Sequence, residues 1–143
     1  MLGNRKPGAR GSGKTTLISQ DTVVVGDVRF SGNLEVEGLV QGNVVAAPES
    51  DGLVRIVGKG CVEGEIRAPN IVVNGVVKGD VHCSRQLELA PKGRVTGNVF
   101  YVLVEMSAGA EVNGSLTHVA EEEAAELTSR AARTDGGSRG KVD

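Results

Sequence analysis

Two groups of residues in the 143-residue sequence have the types that could do chemistry. The run Gly8-Ala9-Arg10-Gly11-Ser12-Gly13-Lys14-Thr15 has the letters of a phosphate-binding loop. Such a loop works because a strand enters it, a helix leaves it, and amides at that helix N-terminus surround the phosphates. Here only seven residues precede the run, Pro7 among them, and Leu17-Ile18 lead into a strand pattern. No nucleotide or other cofactor is therefore expected. The second group is His82-Cys83 with Cys61 and His118, spread over more than three repeats with no Cys-x-x-Cys or His-x-x-x-His spacing. Core or surface roles are expected for these four, and no catalytic or metal-ligating residue is assigned.

The rest of the chain has to be read as a scaffold. It carries 21 glycines against two Phe, one Tyr and no Trp, and its apolar residues are largely Val. That composition disfavours a helical bundle and an aromatic-centred globule. Gly does not recur every third residue, which excludes collagen. With 39% hydrophobic residues and a net charge of −2, wholesale disorder is not expected. No apolar run approaches the roughly 18 to 20 residues that span a bilayer, the first six residues lack a signal-peptide core, and two cysteines suit a reducing compartment. The expected location is the cytoplasm.

Charge divides the chain into three regions. Residues 1–20 carry +4 with no acid, residues 21–119 carry −4, and residues 120–143 carry −2. The first region is a basic tail rich in Gly, Ser and Thr, expected to be disordered when free. The last opens with a helix-forming Glu/Ala run and ends in a Gly-rich segment, and is expected to be flexible.

The middle region is a repeat. The pattern Val-x-Gly-(Asp, Asn, Glu or Ser)-(Val, Ile or Leu) occurs six times, with glycines at 26, 42, 64, 79, 97 and 114. The steps are 16, 22, 15, 18 and 17, and the long one contains Ala47-Pro48-Glu49-Ser50-Asp51, which reads as a surface insertion. Between the cores lie alternating segments such as Leu34-Glu35-Val36, Val54-Arg55-Ile56 and Leu87-Glu88-Leu89, the signature of short strands buried on one face. A unit this short has no core of its own, but stacking units about 4.8 Å apart buries a continuous aliphatic column. The expected fold is all-β: a parallel β-helix, or β-solenoid, of about six turns over residues 21–119. Glycine spacing of six at 26, 32, 38 and at 52, 58, 64 is similar to the hexapeptide repeat of left-handed β-helices, but the irregular 15 to 18 step favours a right-handed coil.

The lead-in Thr15-Thr16-Leu17-Ile18-Ser19-Gln20-Asp21-Thr22, followed by Gly26-Asp27-Val28-Arg29-Phe30-Ser31-Gly32 and Gly38-Leu39-Val40-Gln41-Gly42-Asn43-Val44, resembles the bactofilins, bacterial polymer-forming cytoskeletal proteins. The resemblance covers residues 15–119. It implies a right-handed, roughly triangular β-helix that assembles end to end into nucleotide-independent filaments. It further implies binding to the membrane, or to cell-wall or chromosome-segregation proteins, in the service of cell shape, wall synthesis or chromosome positioning. Family members often carry an aromatic in the last turn where Val112 stands here, with Phe100 and Tyr101 one turn earlier.

Solenoid ends expose backbone groups and an aliphatic layer unless capped, and no strong cap is evident at either end. Val23, Val25 and Val28 at the start, and Val112, Leu116 and Val119 at the finish, with Phe100, are the expected polymerisation interface. Like ends pairing would give a homopolymer without polarity. Leu2, Arg5, Lys6, Arg10 and Lys14 of the basic tail are the expected contacts to anionic lipid on the inner membrane face, or to a partner. The alternative is a left-handed β-helix acyltransferase forming a closed trimer, with His82 or His118 as base, although no substrate loop accompanies either histidine.

Overall fold

The computed structural model describes residues 14–47 and 51–120. Sixteen strands, and no helix among the described residues, stack in parallel as a β-solenoid of six coils, each contributing three strand segments. The first stack holds β1 (Thr15–Ile18), β4 (Asn33–Val36), β7 (Leu53–Ile56), the second halves of β9 (Ile66–Val73) and β11 (Val81–Leu89), and β14 (Leu103–Met106). The second holds β2 (Val23–Val25), β5 (Leu39–Gln41), β8 (Cys61–Glu63), β10 (Val76–Lys78), β12 (Arg94–Thr96) and β15 (Glu111–Asn113). The third holds β3 (Val28–Phe30), β6 (Val44–Ala46), the first halves of β9 and β11, β13 (Val99–Tyr101) and β16 (Leu116–His118).

Period-two alternation sets which side chains enter the core. In the second stack, Val24, Val40, Val62, Val77, Val95 and Val112 are in mutual register, and the middle four are fully buried. The first stack adds Leu34, Val36, Val54, Ile56, Ile71, Val73, Leu87 and Leu89, and the third adds Val44, Ile66, Val81 and Val99. β-Branched side chains suit such layers because one χ1 rotamer satisfies every coil. The shortage of aromatics follows from the same stacking. At one inward position of the third stack the middle coils carry Ala46, Ala68 and Cys83, while Phe30 stands in the first coil and Tyr101 and His118 in the last two.

The repeat's glycine forms a ladder at the corner between the second and third stacks. A Cβ on Gly42 would collide with the Gly26 carbonyl oxygen, one on Gly64 with that of Gly42, and the series continues through Gly79, Gly97 and Gly114. Gly79, at φ 153°, also holds a backbone conformation that side chains disfavour. At three of these corners the polar residue after the glycine serves the next coil. Asp27 Oδ1 accepts the Asn43 amide at 3.0 Å, Asn43 Oδ1 accepts the Glu65 amide at 3.0 Å, and Asp80 Oδ1 accepts the Asn98 amide at 2.9 Å. These side-chain acceptors satisfy backbone donors at the corner, where the chain changes direction.

Two details differ from the sequence reading. The first strand lies ahead of residue 21: Thr15–Ile18 pairs with Asn33–Val36, and Ile18 is buried in register with Val36, so Thr15–Ile18 adds a strand in the segment read as tail. β9 and β11 are eight and nine residues long rather than the short strands expected, because each runs from the third stack of one coil into the first stack of the next, with a register shift between Cys83 and Gln86 in β11. Of the expected surface insertion, residues 48–50 lie outside the described residues.

Candidate assembly ends

Each strand of the first coil has a neighbour on one side only: β1 pairs β4, β2 pairs β5 and β3 pairs β6. The last coil is the same, with β14 on β11, β15 on β12 and β16 on β13. Among the described residues both ends are therefore strand edges without an outer neighbour, the usual template for adding another strand. The core columns also end there uncovered. Val99 is fully buried whereas Leu116, next in its column, is 42% exposed, and Met106 at the end of the Leu89 column is 48% exposed.

The expected interface residues divide by register. Val28 and Val112 are half-buried at inward positions of the first and last coils, and Leu116 is likewise inward. Val23 and Val25 are exposed, but the buried column runs through Val24, so they lie on the outer face of the edge strand β2. Val25, 78% exposed, stands at the lip of that edge. Phe100 is on the outer face of the fifth coil, stacked on His82 with ring centroids 4.7 Å apart, and is not part of the end layer.

Val119 is a correction. It was expected to face solvent at the finish, but it is 9% exposed, and its amide donates to the Tyr101 carbonyl at 2.9 Å. The chain continues the pairing of β16 on β13 by one residue and folds Val119 in. Inward end residues absent from the expected set are Val24, Val104 and Met106, whereas the exposed Leu17 and Leu103, in register with Glu35 and Gln86, lie on the outer face as Val23 and Val25 do. For Val24 and Met106 the signal was available, since Val24 is the repeat's own valine and Met106 continues the Leu87, Leu89 alternation.

The other singled-out residues do not converge. Cys61 lies in the second stack, His82 and Cys83 in the third, and His118 in the last coil, where its ring meets Tyr101 edge-on at 5.6 Å. Burial pushes the Cys83 thiol up to about 12, and Cys83 Sγ donates to the Pro69 carbonyl at 3.2 Å, so it is an inert core residue. Burial also raises the half-buried Cys61 thiol, with Lys78 opposing. His82 instead lies beside Glu65 and Asp80, a cross-coil grouping that spacing along the chain does not reveal. A groove of about 400 Å³ on the first stack is lined by Asn33, Asp51, Asn70 and Arg85, with an Arg85–Asp51 ion pair at 2.5 Å, and neither histidine lines it.

Of the basic tail, Leu2, Arg5, Lys6 and Arg10 lie outside the described residues. Lys14 is described and exposed, and its carbonyl accepts the Asn33 amide at 2.9 Å, which ties it to the second coil. The phosphate-loop letters run directly into strand β1, where such a loop requires a helix. Among the described residues there is no helix, and so none long and apolar enough to cross a membrane.

Comparison with known proteins gives the same architecture a family. Residues 16–117 match the family described as Bactofilin, polymer-forming cytoskeletal. The chain is 28% identical over 101 residues to Bactofilin BacO of Myxococcus xanthus (strain DK1622), covering 71% of this chain and 77% of that protein. No solved structure gives a significant match. A parallel solenoid, together with a family match over most of the chain, leads to one identification: the protein belongs to the bactofilin family of polymer-forming cytoskeletal proteins.

Proposed function

We propose that this protein is a cytoskeletal scaffold that polymerises through the two ends of its solenoid into filaments, without nucleotide. One observation carries the reading: among the described residues every strand of both terminal coils lacks a neighbour on its outer side, while the core columns end in exposed or half-exposed Leu116, Met106, Val112, Val24 and Val28. Docking a second copy buries those side chains and pairs those edges at once. Each large apolar side chain covered contributes roughly 1.5 to 3 kcal/mol at most. Pairing like end with like end makes each contact isologous, so the filament has no polarity. The basic N-terminal segment carries Leu2, Arg5, Lys6, Arg10 and Lys14 to anionic lipid on the inner face of the cytoplasmic membrane, each charge contributing about 1 kcal/mol, and repetition along a filament makes weak attachment firm. Cell-wall or chromosome-segregation proteins are the other partners of the tails. The family match gives no support to a trimeric acyltransferase.

Electron microscopy of the purified full-length protein without nucleotide tests this directly. Extended filaments are expected, and a gold label at one terminus should appear in close pairs. Uniform trimers would overturn the reading, and evenly spaced single labels would replace like-end pairing with head-to-tail assembly. Co-sedimentation with anionic vesicles, with and without residues 1–14, tests the membrane contact separately.

A further inference from the structure

Three side chains from the third and fourth coils converge at the corner that opens the third stack. Glu65 and Asp80 each follow a corner glycine, Gly64 and Gly79, and His82 points outward from β11 between the buried Val81 and Cys83. All three are half-buried, and their potential ligand atoms lie within 4.8 Å of one another.

The corner's hydrogen-bond ladder is interrupted here. Asp27, Asn43 and Asp80 each accept the next coil's amide at this position, but Glu65 instead turns Oε1 to Arg67, 2.7 Å away. Asp80 Oδ1 takes the Asn98 amide. His82 is held face to face with Phe100, the rings 9° from parallel, and its Nδ1 is buried with no hydrogen-bond partner. A buried polar atom left unpaired costs about 1 to 3 kcal/mol, and native structures rarely leave one without a use.

We propose that Glu65, Asp80 and His82 form a site for one divalent transition-metal ion, with Zn²⁺ the best-matched ion. One imidazole nitrogen and two carboxylates with no thiolate are an N/O set suited to Zn²⁺, with water filling the fourth position. Calcium would need six to eight oxygen ligands, and this corner does not offer them. A tetrahedral zinc site spaces its ligand atoms roughly 3.3 Å apart, so the two carboxylates draw in by rotation about their own side chains. Glu65 keeps Oε1 on Arg67 and offers Oε2. The two carboxylates outweigh the single Arg67 charge, leaving the corner net negative when the imidazole is neutral. The ion would clip two neighbouring coils together in mid-solenoid, two coils in from either end, so its binding is separable from end-to-end assembly.

The test uses untagged, chelator-treated full-length protein titrated with ZnCl₂ by calorimetry. One ion per chain at micromolar affinity or better is expected, with a rise in melting temperature. Co²⁺ in place of Zn²⁺ should give d–d absorption without a thiolate charge-transfer band. His82→Gln, Glu65→Gln and Asp80→Asn should each weaken binding about tenfold or more. Asp80→Asn keeps the acceptor for the Asn98 amide, so its metal-free melting temperature should match the wild type. The double variant Cys61→Ser with His118→Gln should bind as the wild type does. No saturable binding below millimolar Zn²⁺, a thiolate band with Co²⁺, or loss of binding only in the double variant would each overturn the site.

Discussion

Leu116 stands in parallel register with Val99, one coil further along the same inward column, yet Val99 is fully buried and Leu116 is 42% exposed. Among the described residues no further coil follows Leu116 to cover it. The aliphatic chemistry of the column is unchanged at its end, which is the basis of the proposed end-to-end assembly. The same relation holds at the start, where Val24 lies in register with the buried Val40 and no described coil lies above it.

The end layers are therefore where a charge should act on assembly. Leu116→Arg and Val24→Arg are expected to convert extended polymers to short soluble species in analytical ultracentrifugation, with coil content by circular dichroism retained. Phe100→Ala, on the outer face of the fifth coil, should leave polymer length unchanged. Equal shortening by all three variants would mean that outer-face contacts, not the ends, hold copies together.

The corner glycine ladder predicts a sharp positional effect. Gly79→Ala places a methyl group against the Gly64 carbonyl at φ 153°, and both the collision and the strain act, so a loss of about 2 kcal/mol or more is expected in urea unfolding. Gly58→Ala meets nothing within 4 Å and adopts φ 60°, which costs only about 1 to 2 kcal/mol. Similar losses at the two positions would contradict the close approach of the coils.

Asn43 links the second and third coils through its Oδ1. Asn43→Asp preserves the acceptor and should leave the unfolding midpoint nearly unchanged, whereas Asn43→Ala should cost about 1 kcal/mol by leaving the Glu65 amide without that partner. The comparison of the two midpoints isolates the acceptor from the backbone's own preference.

Cys83 gives the solenoid a pH dependence in the alkaline range. Its thiol keeps its proton up to about pH 12 when folded, against 9.0 in the unfolded chain, because it is buried. The unfolded state thus binds fewer protons above pH 9, and stability falls by about 1.4 kcal/mol per pH unit between the two values. Below pH 9 this contribution is constant. Since Lys and Tyr titrate in the same range, the readout is the difference between wild type and Cys83→Ala, whose stability should decline less steeply there. Identical slopes would show that the thiol is not shielded.

The sequence by itself determined the architecture. Six valines two residues ahead of six glycines, with aliphatic alternation between them, admit few folds other than stacked coils, because a 17-residue unit has no interior until its neighbour covers it. Even the polar residue after each glycine was visible as part of the pattern, though its use as an acceptor for the next coil was not. What only the tertiary structure decided is which side of a strand each residue faces and which residues meet across coils. Three consecutive valines, Val23-Val24-Val25, look alike along the chain, and only the pairing of β2 with β5 turns the middle one inward. A run of identical side chains has no alternation to read, so its register is invisible until a partner strand sets it. Val119 was misread for a related reason: its burial depends on one backbone hydrogen bond to Tyr101, eighteen residues away. The meeting of Glu65 with Asp80 and His82 likewise depends on coil length. A step of 15 residues between glycines brings positions far apart in sequence to the same corner, and no motif of fixed short spacing would have found them.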